Sequence, residues 1–514
     1  MSDVLAAAVA VTVVVGAVVG EHLGPSPGGW CLLGGGAGLV AALGARFHRR
    51  AGAWAFLALA LGSSALMQRA LDGLEGPLAQ LAARHPDVVA AIRLREDPRR
   101  TRWNARAMAE VVSYRADCHG GRSGCGSGGG SLVAPSLVVV VGHGSAAQRL
   151  GLMSAGETAV LHGRLRPLGG AERRLRWRHA AAVIAADDLL GAAPPAGTVM
   201  QMANGLRGLV LSGARRMPDT PAGLTAGLLV GDDRDLPAPV AEDFRAAGLS
   251  HLLAVSGANV ALVLALAGPA LRRLGLAGRF AGGLAVVSLF AAMARFEPSV
   301  LRASAMAGVA LVAAYAGRPA HGRRLLALAV TGLVLADPFL IHSLGFQLSV
   351  AASGGILVLA RPLAGRIPGP PLVRTGLAVT AAAQVGVAPV ALPAFGSLPL
   401  IALPANLLAA PAAAGLTLWG FGSGLVGGLL EPILPVVPDV LAVPTGLLAS
   451  YLAGLASLAA RAPMPVGPGV AWAGLAVSAL ALGVSRRPGR SGRHGPDASP
   501  RFRAGRRGTG DPAP

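Results

Sequence analysis

The chain has 514 residues, of which 53% are hydrophobic and only 14% charged, with a mean hydropathy of +0.57. That composition excludes an ordinary soluble enzyme and points to a polytopic membrane protein. The formal charge is +20, yet the chain has no lysine, so it carries no P-loop and any nucleotide-driven motor must be a separate protein.

With every basic residue an arginine, and with 73 glycines and 38 prolines, part of the charge reflects a GC-rich coding bias. Basicity therefore argues for a polyanionic partner only where it is locally concentrated. Three cysteines make no disulfide framework, although Cys118 and Cys125 flank the glycine-rich "CHGGRSGC" and could close a small loop outside the cytosol. A zinc site with His119 as third ligand lacks a convincing fourth. The sequence calls for no metal and no cofactor.

In chain order, apolar runs at 4–20, 30–46 and 53–69 are each near the ~20 residues that cross a bilayer. They define an N-terminal membrane region, 1–72. The first lacks a basic n-region and reads as an anchor. "RFHRR" after the second run places that loop, and with it the N-terminus, in the cytoplasm.

From 73 to 195 the long apolar runs give way to short alternating stretches. "RAMAEVVSYRAD" (106–117), "SLVVVVGHG" (136–144), "TAVLHGRLRPLG" (158–169) and "RLRWRHAAAVIAADD" (174–188) read as strands. The fold expected is thus a polytopic α-helical membrane protein with an inserted small all-β domain on the outer side, an OB-like barrel. Such barrels hold single strands through cations and stacked aromatics. Here Trp177 stands among Arg174, Arg176 and Arg178, and Trp103 lies in "RRTRWNAR". A solvated basic strand with one core tryptophan is the plainer reading.

Residues 196–250 read as an amphipathic linker at the membrane interface, with Arg207, Arg215 and Arg216 on its polar face. Asp232, Asp233 and Asp235 read as a charged turn rather than a metal site. A membrane domain follows from 251 to 485, with runs near 251–269, 280–295, 299–316, 325–340, 344–360 and 374–393. Arginines fall in alternate loops, which are cytoplasmic if residues 248–250 are external. About four further segments are expected after residue 394. The tail, 486–514, is rich in Arg, Gly and Pro and is expected to be disordered and cytoplasmic, near anionic lipids.

Polar side chains punctuate these spans in four clusters, and at membrane depth such groups face a bundle interior or a water-filled path. "GLSHLLAVSGANV" supplies His251, Ser256 and Asn259, with Gly257 leaving room for a close approach. "RFEPSVLRASAMAG" puts Arg302 a turn inside a span, where it needs a partner, Glu297 or a passing phosphate, unless it snorkels to the interface. "IHSLGFQLSVAASGG" gives His342, Gln347, Ser349 and Ser353, and "LPLIALPANLLAAP" brackets Asn406 with Pro404 and Pro411, which should break the helix.

The succession "LLVGD…FRAAGLSHLLAVSGANV", "PSVLRASAMAG", "DPFLIHSLGFQLSVAASGGIL" and "APVALPAFGSLPLIALPANLLAAP" closely resembles the competence membrane domain of the ComEC family, over about 225–415. The resemblance implies passage of single-stranded DNA into the cytoplasm. It assigns His251, Ser256, Gly257, Arg302, Gln347, Ser349 and Asn406 to that path. Asn259 stands where many relatives have a histidine. Many relatives also carry a metallo-β-lactamase-like domain, whose His-x-His-x-Asp-His cluster does not occur here. The expectation is a short form with no enzymatic activity of its own. Its expected partners are single-stranded DNA, anionic lipids, a separately encoded nuclease, a cytoplasmic motor ATPase and a second copy of the chain. A transporter of a smaller polar or anionic solute on the same scaffold is the alternative.

Overall fold

A computed structural model describes residues 2–23, the isolated positions 33, 36, 37 and 40, and residues 51–466 apart from 102, 118–129, 196, 320, 463 and 464. The apolar run at 30–46, both cysteines of "CHGGRSGC" and the arginine-rich tail therefore lie outside the described residues. Within them, eight helices are long and apolar enough to cross a membrane. The chain is a polytopic membrane protein with a sheet domain inserted after its first helices.

The sheet domain is built from β1 (Asp87–Leu94), β2 (Arg99–Arg100), β3 (Asn104–Asp117), β4 (Gly130–His143), β5 (Thr158–Arg166) and β6 (Ala180–Ala193). In β1 buried and part-buried residues alternate strictly, Val88, Ala90, Ile92 and Leu94 pointing inward, the period-2 pattern of a strand with one covered face. β1 pairs antiparallel with both β3 and β5, β5 with β6, and β3 with β4, while β4 and β6 run parallel. Each of these five strands therefore has two neighbours within the set, β3 pairing with β2 as well, and the pairings close on themselves. A helix at Gly144–Gly151 follows β4 and buries Ala146 and Leu150 in the core so enclosed.

Two expectations for this domain change. β1 has no place among the four strands read from sequence, because "DVVAAIRL" is short and its apolar residues run together instead of alternating with polar ones. "RLRWR" is not strand: Gly170–Arg178 is a 3-10 helix, and His179 turns the chain through a left-handed conformation (φ 62°) into β6. Four arginines in nine residues have too few apolar partners to fill alternate inward positions.

The interface linker divides into three helices, Thr198–Val210, Asp219–Val230 and Ala238–Ala246. Arg207 does not lie on a lipid-facing surface but is 6% exposed. Arg216 reaches Glu431 at 2.7 Å and Asp439 at 2.9 Å and so ties the linker to the last long helices.

The run expected as one span from residue 251 is broken. Ser250–Leu253 forms one turn, Ala254–Ser256 is extended, and the helix proper is Gly257–Leu271. Next come Leu276–Met293, Pro298–Tyr315, the short Gly322–Ala336, Leu344–Ala364 and Pro371–Phe395. Beyond residue 394 the described residues hold two long helices, Ala402–Leu430 and Val437–Ala460. Pro404 and Pro411 do not interrupt the former. Pro404 stands in the first turn, where its missing N–H had no intrahelical acceptor, and Pro411 is accommodated inside the helix.

Small residues let these helices approach backbone to backbone. A Cβ on Gly355 would fall 2.4 Å from the Ala382 carbonyl oxygen, and one on Gly424 would fall 2.2 Å from that of Val210. Such contacts replace the hydrophobic driving force that lipid removes.

Candidate functional site

The break at Ala254–Ser256 leaves peptide groups that helix would otherwise satisfy, and the following helices supply the partners. Ser299 Oγ donates to the Val255 carbonyl at 2.6 Å, and the Val255 N–H donates to Glu297. "EPS" before the span 298–315 thus does more than complement a helix dipole. It holds the broken segment open. Ser256 Oγ donates to Asn259 Oδ1 at 3.1 Å, and Asn259 Nδ2 donates to the Leu228 carbonyl at 2.7 Å, so the buried amide is held at both ends.

Below the break, three helices converge on one guanidinium. Arg302, 9% exposed, donates from Nε to Ser349 Oγ at 2.7 Å, and its Nη1 lies 3.2 Å from the Met306 sulfur. Gly257, the first residue of its helix, faces Nη2 so closely that a Cβ there would lie at 2.5 Å. Among the described residues no carboxylate pairs with Arg302. Gly257, Arg302 and Ser349, which motif reading placed on three separate spans, meet at one point.

The other motif residues do not join them. Gln347 Nε2 donates to the Ile341 carbonyl at 2.5 Å, and Asn406 Nδ2 donates to the carbonyl of Ala402, each within its own helical neighbourhood. His251 is exposed on the one-turn helix before the break. Ser353 back-bonds to the Ser349 carbonyl at 2.9 Å.

Residues 228–487 match the family model described as Competence protein. The chain belongs to the competence family. That region contains every residue of the Gly257–Arg302–Ser349 cluster. The chain is also similar to ComE operon protein 3 of Bacillus subtilis (strain 168), 29% identical over 201 residues, which is 38% of this chain and 25% of that relative. The alignment thus spans a quarter of the relative's length. No solved structure matches the chain.

In this competence-family chain a second feature lies where the sheet domain meets the membrane helices. Asp97, in the turn after β1, is 8% exposed by its side chain and contacts Arg207 at 3.1 Å and Arg295 at 2.8 Å. Arg207 also holds Asp232 at 2.7 Å, Arg234 forks onto Asp232 with two hydrogen bonds, and Arg295 Nη1 donates to Asn204 at 2.7 Å. Burial alone would raise the Asp97 and Asp232 pKa values, but the surrounding guanidinium groups outweigh it and hold both carboxyls below their usual range. Asp232 therefore belongs to a charged turn, as the sequence suggested, though the turn is a buried one.

Arg295 and Phe296 both adopt left-handed backbone, φ 55° and 53°, a conformation that costs non-glycine residues on the order of 1 kcal/mol each. It lets Arg295 turn back to Asp97 while Glu297 turns toward the helix break. Glu297 itself is pushed up to about 7, by burial first and by the nearby Asp233 second. Sequence reasoning missed Asp97, Asn204 and Arg295. "REDPRR" looks like any acidic turn, and nothing local points to partners more than 100 residues away.

The aromatic candidates separate. Trp177 stacks on His342 with ring centroids 3.8 Å apart and meets Phe339 edge-on at 5.5 Å. His342 in turn lies 3.0 Å from Glu21, and His179 lies 3.0 Å from Asp337. Trp177 is therefore a docking residue of the sheet domain on the membrane helices. Arg178 pairs with Glu96, Arg176 lies 4.6 Å above the Trp177 ring, and Arg174 is exposed. Trp103 is 75% exposed at the tip between β2 and β3, the placement a stacking platform needs.

Proposed function

We propose that the chain conducts single-stranded DNA inward across the cytoplasmic membrane during natural transformation, with no covalent chemistry of its own. The observation that carries this reading is the buried guanidinium of Arg302, paired with no carboxylate among the described residues, at the meeting point of three competence-motif helices. A polar path for a polyanion needs fixed positive charge inside the membrane, and neutral packing helices do not. Membership of the competence family and similarity to a ComE operon protein support a role in DNA uptake.

In this reading the sheet domain faces outward and receives the strand. Its circuit of five strands, with β4 and β6 parallel and the rest antiparallel, supports an OB-type barrel. Trp103 and Arg174 are exposed groups suited to stacking and phosphate contact, Arg176 lies over the Trp177 ring, and Trp177 and Arg178 pack within the protein. The strand then passes the broken helix, with His251, Ser256, Gly257 and Asn259 at its mouth, Arg302 and Ser349 below, and Gln347 and Asn406 lining neighbouring helices. Both termini are cytoplasmic. The partners proposed are single-stranded DNA, anionic lipid at the arginine-rich loops, a separate nuclease and motor ATPase, and a second copy of the chain.

The test is uptake of labelled DNA in a deletion strain carrying either the wild-type chain or Arg302→Gln. Uptake restored by the first and reduced at least tenfold by the second is the expected result. Normal uptake in the deletion strain itself would sink the proposal.

A further inference from the structure

We propose that Asp97 and Arg295 are positioning residues that couple the seating of the sheet domain to the conformation of the broken segment Ala254–Ser256. The sheet domain thereby sets the state of the mouth past which the strand enters. That the break is such a mouth rests on the conduction reading, whereas the coupling itself does not.

The link starts where the helix Leu276–Met293 ends. The Phe296 N–H donates to the Ala291 carbonyl at 2.8 Å and the Arg295 N–H to that of Ala292 at 3.2 Å, a Schellman-type end whose left-handed position is usually glycine. Here that position is Arg295, φ 55°, and Phe296 is left-handed as well. Non-glycine residues persist in this conformation only where their surroundings over-determine it. The sheet domain and the helix that follows it, Thr198–Val210, supply those surroundings. Arg295 Nε and Nη2 contact the Asp97 carboxylate at 3.0 and 2.8 Å, and Nη1 donates to Asn204 Oδ1 at 2.7 Å. Asp97 and Asn204 are both tied to one residue shortly before β5. The Ala155 N–H donates to Asp97 Oδ1 at 2.9 Å, and Asn204 Nδ2 donates to the Ala155 carbonyl at 3.0 Å. Asp97 also holds Arg207 at 3.1 Å, whose Nη1 donates to the Met293 carbonyl at 2.9 Å. One buried carboxylate of the sheet domain therefore grips this turn through two guanidinium groups, one on the turn and one bound to its backbone.

From the turn to the break the connection is short and stiff. Two residues after Arg295, Glu297 accepts the Val255 N–H, and two further on Ser299 Oγ donates to the Val255 carbonyl at 2.6 Å. Pro298 between them has a fixed φ. A second contact reaches the same residue: Gly231 adjoins Asp232, the other carboxylate on Arg207, and a Cβ on Gly231 would fall 2.9 Å from Val255 Cγ2. Ala254–Ser256 has two states, held extended by these bonds or released from them. A discrete element of that kind, biased from a distant contact, is what energetic coupling requires.

The experiment follows amide hydrogen exchange by mass spectrometry on the full chain in lipid nanodiscs, without DNA. It compares wild type, Asp97→Asn, Arg295→Gly, Arg295→Lys and Glu172→Gln. Glycine suits the left-handed turn and removes only the side-chain grip. Glu172→Gln weakens a pair with Arg166 that includes neither Asp97 nor Arg295. Exchange in peptides covering 250–257 is expected to rise about fivefold or more in Asp97→Asn and Arg295→Gly. It should rise less in Arg295→Lys, which keeps a charge for Asp97, and not at all in Glu172→Gln. The span 344–364 reports global loosening and should be unchanged throughout. Unchanged exchange at 250–257 in Arg295→Gly, or a rise there matched in 344–364, overturns the coupling. An equal rise in Glu172→Gln overturns it too, because any weakening of the sheet domain would then suffice. DNA uptake lost in Arg302→Gln, with exchange at 250–257 unmoved in Arg295→Gly, would leave conduction standing and remove the coupling alone. The reverse pair of results keeps the coupling and removes conduction.

Discussion

Asp97 and Arg207, 110 positions apart in sequence, meet at 3.1 Å with both side chains 8% exposed. One comes from the turn after the first strand and the other from the helix that follows the last, so this pair closes the sheet domain onto the membrane helices. Removing Asp97 takes the carboxylate from Arg295, which keeps the Asn204 amide, and leaves Arg207 to Asp232 alone; losing a buried partner of this kind costs about 3–5 kcal/mol. Asp97→Asn should therefore lower the melting temperature and expose the linker near residue 196 to limited proteolysis. Replacing Asp97 and Arg295 together with apolar residues of similar volume should recover much of the loss, and a double-mutant cycle measures it.

Glu297 gives the chain a pH dependence of definite sign. Its folded value of about 7 lies above the ordinary 4.5, so the folded state binds the proton more tightly than the unfolded state. The corresponding stability is complete below pH 4.5 and is lost as pH rises through about 7. Relative to Glu297→Gln, wild type should lose on the order of 2 kcal/mol between pH 5 and pH 8. Parallel melting curves for the two proteins across that range would show the attribution to be wrong.

The two tryptophans of the sheet domain should behave oppositely. Trp103→Ala, at the exposed tip, is expected to weaken binding of single-stranded DNA by about 1–3 kcal/mol, the usual worth of a base–aromatic stack, with little change in stability. Trp177→Ala removes the stack on His342 and should destabilise the chain by about 3 kcal/mol or more, leaving DNA affinity nearly unchanged. Filter binding and thermal melting separate the two effects.

Gly355 and Gly386 pack against each other across two long helices, where a Cβ on Gly386 would fall 2.5 Å from the Ala351 carbonyl oxygen. Gly386→Ala should cost about 1–3 kcal/mol by overpacking. Gly354→Ala, one residue from the contact with open space around it, should be nearly neutral. Equal losses in the two variants would mean that helix crossing is not what the glycine serves.

Much of this was legible in the sequence where signals are local. The long spans announce themselves by apolar length, and β3, β4 and β5 by alternation. The competence motifs name Gly257, Arg302 and Ser349, though not that the three meet. What escaped is long-range. The break at Ala254–Ser256 is invisible in an apolar run, because it is stabilised from outside by Glu297 and Ser299 rather than by a local breaker. Pro404 and Pro411 misled for the converse reason: a proline in the first turn opposes no hydrogen bond, and one inside a packed helix is tolerated by its neighbours. Trp177 among arginines looked like a nucleic-acid contact, yet its partner His342 lies 165 positions on.

The helix that starts at Gly257 has 15 residues, a rise of about 22 Å at 1.5 Å per residue, against a hydrocarbon core of about 30 Å. Gly322–Ala336 is equally short. Where such helices line a passage the low-dielectric layer is locally thin, and the electrostatic barrier to an ion depends steeply on that thickness. On the proposed conduction reading, the break before Gly257 lowers the barrier for every charge that crosses, whatever its chemical identity.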